Sequence, residues 1–384
     1  MPPSRTPINK ALREYTDRLL YHSIVVHSAL AFTKLCWTIK KQLHLGALVN
    51  ELSIRPEDVP KSTPVDGTIR TVLCTLRNLR TLIIDGHPRA ADCFLAWPSS
   101  HAAPTPLLSH LELRGIYSPA FAPKAFDPRV YAPLARLPKL HTCKLALTDV
   151  ATPAALPNIE QSAVAPLRVK SVHLSGPLTD SHASVVALLA ACPLAHSLAL
   201  DDTSSRQTPN FPNLVAALSP SFTSLSFTYR IPGHSAFTDG LLRFTQLTSL
   251  TLGPGTFRPD LDYRAFHSLP LTSLGFTLGS EVRLDPLLAL VAGPTKHRSL
   301  SCLRLDVVDG EFPHSAHPSA KRTPSSGWKK PRWTEEVSPQ RARAFLKLAA
   351  MGGVEVVGSV RWALAVQDGI EGREVDFAEM IGMT

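Results

Sequence analysis

A recurring leucine pattern organises the chain. The stretch LTSLTL, from Leu247 to Leu252, follows the form L-x-x-L-x-L, and near-copies of it occur on both sides. Aligned on their middle apolar residue, successive copies are separated by 30, 29, 32, 29, 26, 27, 25, 24 and 29 residues. Such a regular interval indicates one structural unit repeated along the chain. The middle residues are Leu52, Leu82, Leu111, Cys143, Val172, Leu198, Leu225, Leu250, Leu274 and Leu303.

Each copy also predicts a β-strand with one buried face. A second apolar residue follows the middle one by two positions, from Ile84 in the second copy to Leu305 in the last. Residues two apart project from the same face of a strand. The positions immediately before the middle residue are small or polar, which predicts that the other face is open to water. These are Thr81, His110, Thr142, Ser171, Ser197, Ser224, Ser249 and Ser273.

Segments with helical potential follow several of the strands. Three examples are residues 181–192, 213–219 and 285–293. One strand and its return segment cannot bury an apolar face alone, whereas stacked units can. We therefore predict an α/β fold, a right-handed leucine-rich-repeat solenoid with a parallel β-sheet over residues 46–310. A closed barrel of parallel strands has a similar period, but its strands are covered on both faces and read as continuous apolar runs.

The two ends of the chain break this period. Residues 11–46 read as helical around a short β-prone insert, so residues 1–45 are predicted to form a helical N-terminal cap. Residues 311–337 are basic and rich in proline and serine, which predicts a disordered linker too polar to pack. Ser338 is placed as the N-cap of a helix that ends at Gly352, and residues 354–366 offer one or two last strands. Residues 338–384 are thus predicted to form a small C-terminal α/β cap.

Charge and composition limit the possible partners and the cellular location of the protein. The formal charge of +9 comes mainly from residues 1–46 and 311–347, at +5 each, while residues 47–310 contribute only +3. This distribution argues against nucleic acid as a partner of the repeat surface. No apolar run is long enough to span a membrane, and the first residues lack an apolar secretory core. The six cysteines are dispersed, which favours small buried thiols over disulfides or zinc. We expect a monomer in the cytoplasm or nucleus.

Motifs for catalysis are missing from the sequence. There is no phosphate-binding loop, dinucleotide fingerprint, nucleophile elbow or H-E-x-x-H pair. Asp201 and Asp202 are adjacent on a predicted strand, so their carboxylates point to opposite faces. We expect no enzymatic activity, no metal and no cofactor. The alternative, an enzyme with an unrecognised site, requires a deep pocket lined by convergent acid, base or nucleophilic side chains.

A binding surface is the remaining interpretation. Charged side chains on a rigid sheet supply specificity towards a protein partner, although a hydroxyl-rich face without any ligand is the competing interpretation. The candidates on the open, concave face are Glu112, Arg114, Lys144, His173, Asp201, Arg304 and Asp306. A second group lies in the basic linker, where paired cations fit a nuclear-import signal, an anion contact or a plain solvated segment. Its members are Lys321, Arg322, Lys329, Lys330 and Arg332.

One passage resembles a known family. Residues 19–54 contain LYHSIVV, then a helical stretch, then HLGALVNELSI. This order is similar to the segment that follows the F-box in fungal F-box and leucine-rich-repeat proteins. The resemblance implies a non-enzymatic recognition module related to the substrate receptors of SCF-type ubiquitin ligases, with the ligase adaptor as a partner. A generic protein-interaction scaffold without a ligase role is the alternative. Eighteen residues precede Leu19, so we expect a truncated or divergent F-box.

Overall fold

The chain divides into two compact units, Met1–Ala195 and His196–Thr384. The described residues of each unit include six strands. The architecture is given by a computed structural model. It describes residues 10–55, 66–85, 94, 107–114, 134, 137–146, 166–175, 189–201, 218–228, 240–253, 263–277, 280, 282–308, 332–334 and 337–370.

The first unit begins with helices and continues as a ladder of parallel strands. Its six strands pair in chain order, and every recorded pairing is parallel. The β-prone insert near the N-terminus is the first of these strands. The elements are α1 (Lys10–His22), β1 (Ser23–Val26), α2 (Ala29–Lys41), α3 (Leu43–Gly46), β2 (Glu51–Ile54), α4 (Asp66–Thr75), β3 (Thr81–Asp85), β4 (His110–Arg114), β5 (Thr142–Ala146) and β6 (Ser171–Ser175).

The second unit repeats the parallel arrangement. Its strands also pair in chain order. The predicted helix at residues 285–293 is present, while the helical stretches 181–192 and 213–219 lie mostly outside the described residues. The elements are β7 (Ser197–Asp201), β8 (Ser224–Phe227), β9 (Ser249–Leu252), a 3-10 helix (Tyr263–Ser268), β10 (Ser273–Phe276), α5 (Leu284–Val291), β11 (Cys302–Leu305), α6 (Pro339–Met351), β12 (Glu355–Val357) and α7 (Ser359–Ile370).

The leucine pattern sets the register of both ladders. Leu82 is the direct partner of Leu111, and Leu250 is the direct partner of Leu274. These four leucines are at most 1% exposed, whereas the alternate positions of most strands are half-buried. The α/β class and the parallel strands with one buried face are therefore confirmed. Within the described residues β1 does not pair with β6, nor β7 with β12, so neither unit closes on itself as a barrel.

A ladder of hydroxyl groups runs beside the strands of the second unit. The Oγ1 of Thr248 donates to the carbonyl of Thr223 at 3.1 Å, and Thr272 repeats this towards Thr248. The Thr223 carbonyl also accepts the backbone N–H groups of Thr248 and Ser249, at 2.8 and 3.0 Å. The Ser301 hydroxyl extends the ladder by donating to the carbonyl of Thr272. These hydroxyls therefore bond within the fold, to carbonyls that backbone N–H groups of the next repeat also reach.

The C-terminal helix α6 begins and ends as predicted. The Ser338 side chain accepts the N–H of Arg341, Pro339 is the first helical residue, and Gly352 is the C-cap. Packing against α5 also requires this glycine, because a Cβ on Gly352 would lie 1.9 Å from the carbonyl oxygen of Val291.

The expected last strand of the C-terminal region is present, and a helix follows it. The stretch 354–366 forms only the three-residue strand β12, after which α7 begins. Gly358 turns the chain with φ of 101°, and the Asp306 carboxylate accepts the N–H of Ser359 at 2.9 Å, which starts the helix. The predicted linker also packs at its end, because Val337 is buried and Trp333 is half-buried. Residues 309–331 lie outside the described residues.

Candidate functional site

The early charged residues of the open face come together in the first unit. The strand register makes Lys144 on β5 the partner of both Glu112 on β4 and His173 on β6. His110 lies two residues before Glu112, so its side chain leaves β4 on the same face. We call Glu112, Lys144, His110 and His173 the β4–β6 cluster.

Glu112 is buried at the centre of this cluster. It is 3% exposed, although it was expected as an exposed contact residue. Its Oε2 lies 3.6 Å from Lys144 Nζ and 3.7 Å from His110 Nε2. A buried carboxylate needs such compensation, because burial of an uncompensated charge costs several kcal/mol. Glu112 is thus a buried partner of Lys144 and His110 and not an exposed contact residue.

The protonation of His110 follows from its surroundings. Burial lowers the pKa of His110 below its ordinary value of 6.5, and the positive charge of Lys144 acts in the same direction. The Glu112 carboxylate opposes the shift without reversing it. At neutral pH the imidazole is therefore uncharged. Because the Lys144 side chain is 34% exposed and that of Glu112 only 4%, the cluster presents an ammonium group to solvent above a buried carboxylate.

Sequence reasoning passed over His110. The sequence pattern counted it among the small or polar residues that precede the middle apolar residue of each strand, and not among the candidate site residues. The signal that could have identified it is the two-residue spacing from Glu112, which places an imidazole and a carboxylate on one face.

The remaining candidate of the first unit is not placed in the cluster. Arg114 ends β4, where its register partner is Asp85 on β3. Its side chain lies outside the described part of the structure.

In the second unit Asp201 has a role within the fold. It ends β7, and its Oδ1 accepts a hydrogen bond of 2.7 Å from the Thr228 hydroxyl. Thr228 also donates its backbone N–H to the Leu200 carbonyl at 2.9 Å. Asp201 therefore fixes the chain where it leaves β8, which accounts for a carboxylate at this position.

Arg304 and Asp306 form a pair on and after β11. The Arg304 guanidinium contacts Asp306 Oδ2, and the other carboxylate oxygen of Asp306 accepts the N–H of Ser359. The Ser359 hydroxyl accepts the N–H of Val308 at 2.9 Å and donates to the Leu305 carbonyl. Asp306 is thus the cap that starts α7. Arg304, whose side chain is 61% exposed, is the member of the pair that faces solvent.

Of the basic linker group only Arg332 is described, and it is exposed. Lys321, Arg322, Lys329 and Lys330 lie outside the described residues, so their proposed role stays a prediction.

Among the described residues, no group of three or more His, Cys, Asp or Glu side chains is arranged to hold a metal ion. No described helix combines the length and apolar character needed to cross a membrane. The five described cysteines are free thiols, of which Cys36, Cys143 and Cys192 are buried. Burial raises the pKa of Cys192 to about 12.

No protein-family model matches the sequence, and no curated protein matches it either. The candidate site is therefore interpreted from its own geometry.

Proposed function

We propose that this chain is a non-enzymatic recognition module of the leucine-rich-repeat type, capped by helices at both ends. It binds a protein through the open face of β4, β5 and β6. The observation that supports this most is the buried Glu112 carboxylate beneath the half-exposed Lys144 ammonium. A buried ion pair is weak evidence for stability by itself, so its presence on an open strand face favours a role in specificity.

The geometry favours an acidic group on the partner. The Lys144 ammonium lies 3.6 Å from Glu112 Oε2, and this contact restricts the lysine side chain before a ligand binds, which lowers the entropy lost on binding. His110 is neutral at physiological pH and offers a ring nitrogen beside the ammonium. A carboxylate on a partner surface would meet the Lys144 ammonium before the more deeply buried Glu112, whose negative charge offsets part of the attraction.

A relation to F-box subunits is the more specific part of the proposal. On α1, the side chains of Leu12, Tyr15 and Leu19 are 58%, 61% and 62% exposed. Their spacing of three and four residues places them on one helical face. An exposed apolar helix face next to a repeat domain suits a docking element for a ligase adaptor. If no adaptor binds this face, the alternative is a generic interaction scaffold without a ligase role.

Charge reversal tests the binding face. Full-length Lys144→Glu protein and the unaltered chain are compared by quantitative affinity purification from the source cell. Lys139→Glu is the matched control, because Lys139 is an exposed lysine of the same unit in the turn before β5. We expect specific partners to be lost from the Lys144→Glu sample only. Partner recovery that is equal in all three samples would refute the binding face.

The adaptor is tested separately in the same experiment. Replacing Leu12, Tyr15 and Leu19 together by serine should remove adaptor while sparing the partners that depend on Lys144. Arg18→Ser is the control, since Arg18 is also an exposed residue of α1. If the unaltered chain never recovers an adaptor, the ligase role is wrong and only the scaffold remains.

A further inference from the structure

A cleft with a volume of about 780 Å³ opens in the second unit. Its walls come mainly from the successive turns that lead into β9, β10 and β11, around Thr245, His267–Pro270 and Pro294–Ser299. This volume falls within the range of roughly 300 to 1,000 Å³ that is typical of small-molecule sites. The cleft is separate from the β4–β6 cluster, which belongs to the first unit.

The side chains that line the cleft are selectively basic. Lys296, Arg298 and His267 contribute cationic or protonatable groups, and Thr245 and Ser268 contribute hydroxyls. No aspartate or glutamate is among the described residues that line it. A ligand in this cleft would therefore meet several donors and no carboxylate.

A buried histidine makes the floor of the cleft rigid. His297 is 4% exposed, and its Nδ1 lies 3.2 Å from the N–H nitrogen of Leu300 and 3.3 Å from that of Ser299. Both backbone groups are donors, so Nδ1 is the acceptor and the ring proton is on Nε2, which donates to the Leu269 carbonyl at 2.9 Å. In the repeat of β9, the equivalent N–H of Leu247 bonds to the carbonyl of Phe244 at 3.0 Å. The imidazole of His297 thus replaces a backbone acceptor of the turn.

The basic groups are positioned on this floor. The His267 ring stacks on His297 with centroids 5.6 Å apart and an angle of 22° between the planes. The Lys296 ammonium donates to the carbonyl of Gly352, which follows α6. Arg298 is exposed at the rim of the cleft. Two of the three basic side chains are therefore oriented by the protein before any ligand binds.

We infer that this cleft binds a ligand through its phosphate group. Phosphate oxygens accept charge-assisted hydrogen bonds from guanidinium and ammonium groups, and hydroxyls complete their coordination. A dianion also requires the absence of nearby carboxylates, which the described lining provides. The inference concerns the second unit alone and does not depend on the proposed protein-binding face.

The test uses the full-length chain and inorganic tripolyphosphate at constant ionic strength. Binding is followed by calorimetry and by the ring signals of His267 in NMR spectra. We expect saturable binding that shifts the His267 signals, with affinity reduced about tenfold or more in Arg298→Gln. Arg283→Gln is the control, because Arg283 is an exposed arginine of the same unit outside the lining. That variant should bind like the unaltered chain.

Two further probes identify the source of the phosphate. Inorganic phosphate and a short phosphoserine peptide are titrated under the same conditions. Tighter binding of the peptide indicates a protein-borne phosphate, while tighter binding of tripolyphosphate indicates a small free ligand. The inference is overturned if the His267 signals do not move with any probe. It is also overturned if Arg298→Gln and Arg283→Gln weaken binding equally, which would mean general attraction to a basic chain.

Discussion

Two acidic side chains of the candidate surface make contacts within the fold. Glu112 is buried beside Lys144 and His110, and Asp306 bonds to the backbone of Ser359. The sequence indicated that charge gathers at these positions but not what it contacts. The partner of Asp306 lies 53 residues further along the chain, and no local pattern connects the two. Burial of Glu112 depends on side chains from neighbouring strands, which is a property of the assembled ladder.

The role of Asp306 predicts a loss of stability. Asp306→Ala removes the acceptor for the first N–H of α7, so we expect the free energy of unfolding to fall by about 0.5 to 2 kcal/mol. Asp285→Ala is the matched control, because its ion pair with Arg341 joins side chains that are 75% and 45% exposed. Such a pair contributes about 0 to 1 kcal/mol. Urea denaturation measures the free energy of unfolding of both variants. An equal loss in Asp306→Ala and Asp285→Ala would contradict a capping role for Asp306.

His110 predicts a pH dependence of stability. Its pKa is lowered in the folded chain, first by burial and then by Lys144, so the unfolded chain binds a proton more readily. The neutral ring thus contributes its full stability above its ordinary pKa of 6.5, and this contribution is lost as the pH falls towards the lowered value.

Stability measured from about pH 7.5 to 5 tests this linkage, since that interval brackets the titration of histidine. His110→Asn should flatten the acid side of the profile relative to the unaltered chain. The exposed His141 provides the comparison, and the acid side should flatten more in His110→Asn than in His141→Asn. Identical slopes in both variants would show that His110 is not responsible.

Elements that follow local patterns were predictable, and elements set by distant contacts were not. The strands follow from apolar residues two apart, and α6 follows from Ser338, Pro339 and Gly352 at its ends. Residues 354–366 contain a run of valines that favours strand locally. The strand β12 forms on this run, and α7 begins directly after it, because Gly358 takes a positive φ and Asp306 supplies the cap.

The contact between α5 and α6 predicts a steric effect. In Gly352→Ala the new methyl group would lie 1.9 Å from the Val291 carbonyl oxygen, so the two helices must separate. Overpacking of this kind lowers the free energy of unfolding by about 1 to 3 kcal/mol. We expect a loss near the upper value, because the new methyl group meets a backbone atom and not a flexible side chain. Gly293→Ala is the comparison, since its Cβ meets nothing within 4 Å and only its φ of 84° is strained. Thermal denaturation should rank Gly352→Ala as the more destabilised variant.

At the scale of the whole molecule, stability is distributed along two ladders of six strands. Most of the described strands bury leucines against the strands beside them, as in repeat proteins whose stability is a sum over neighbours. The regular period predicted the stacked parallel strands, but not the division of the chain into two units. It could not predict the basic cleft, whose walls come from irregular turns that the leucine pattern does not describe.

The repeat organisation predicts a local response to a core cavity. Leu250 is fully buried between Leu225 and Leu274, so Leu250→Ala should cost about 2 to 5 kcal/mol. Hydrogen exchange should show the largest loss of protection in β8, β9 and β10, with a smaller loss in β12. Leu348→Ala on α6 is the control, because that leucine is 37% exposed. Uniform loss over the whole second unit would contradict nearest-neighbour stability.

The open face of β4–β6 as a protein-binding surface is tested most directly by site-specific photo-crosslinking. A photoreactive amino acid replaces Thr142, which lies two residues before Lys144 on the same face of β5. A second chain carries it in place of the exposed Lys139. The account predicts a discrete protein adduct from position 142 that disappears when Lys144→Glu is added, and none from position 139. An adduct at position 142 that persists with Lys144→Glu, or adducts from position 139 alone, would contradict it.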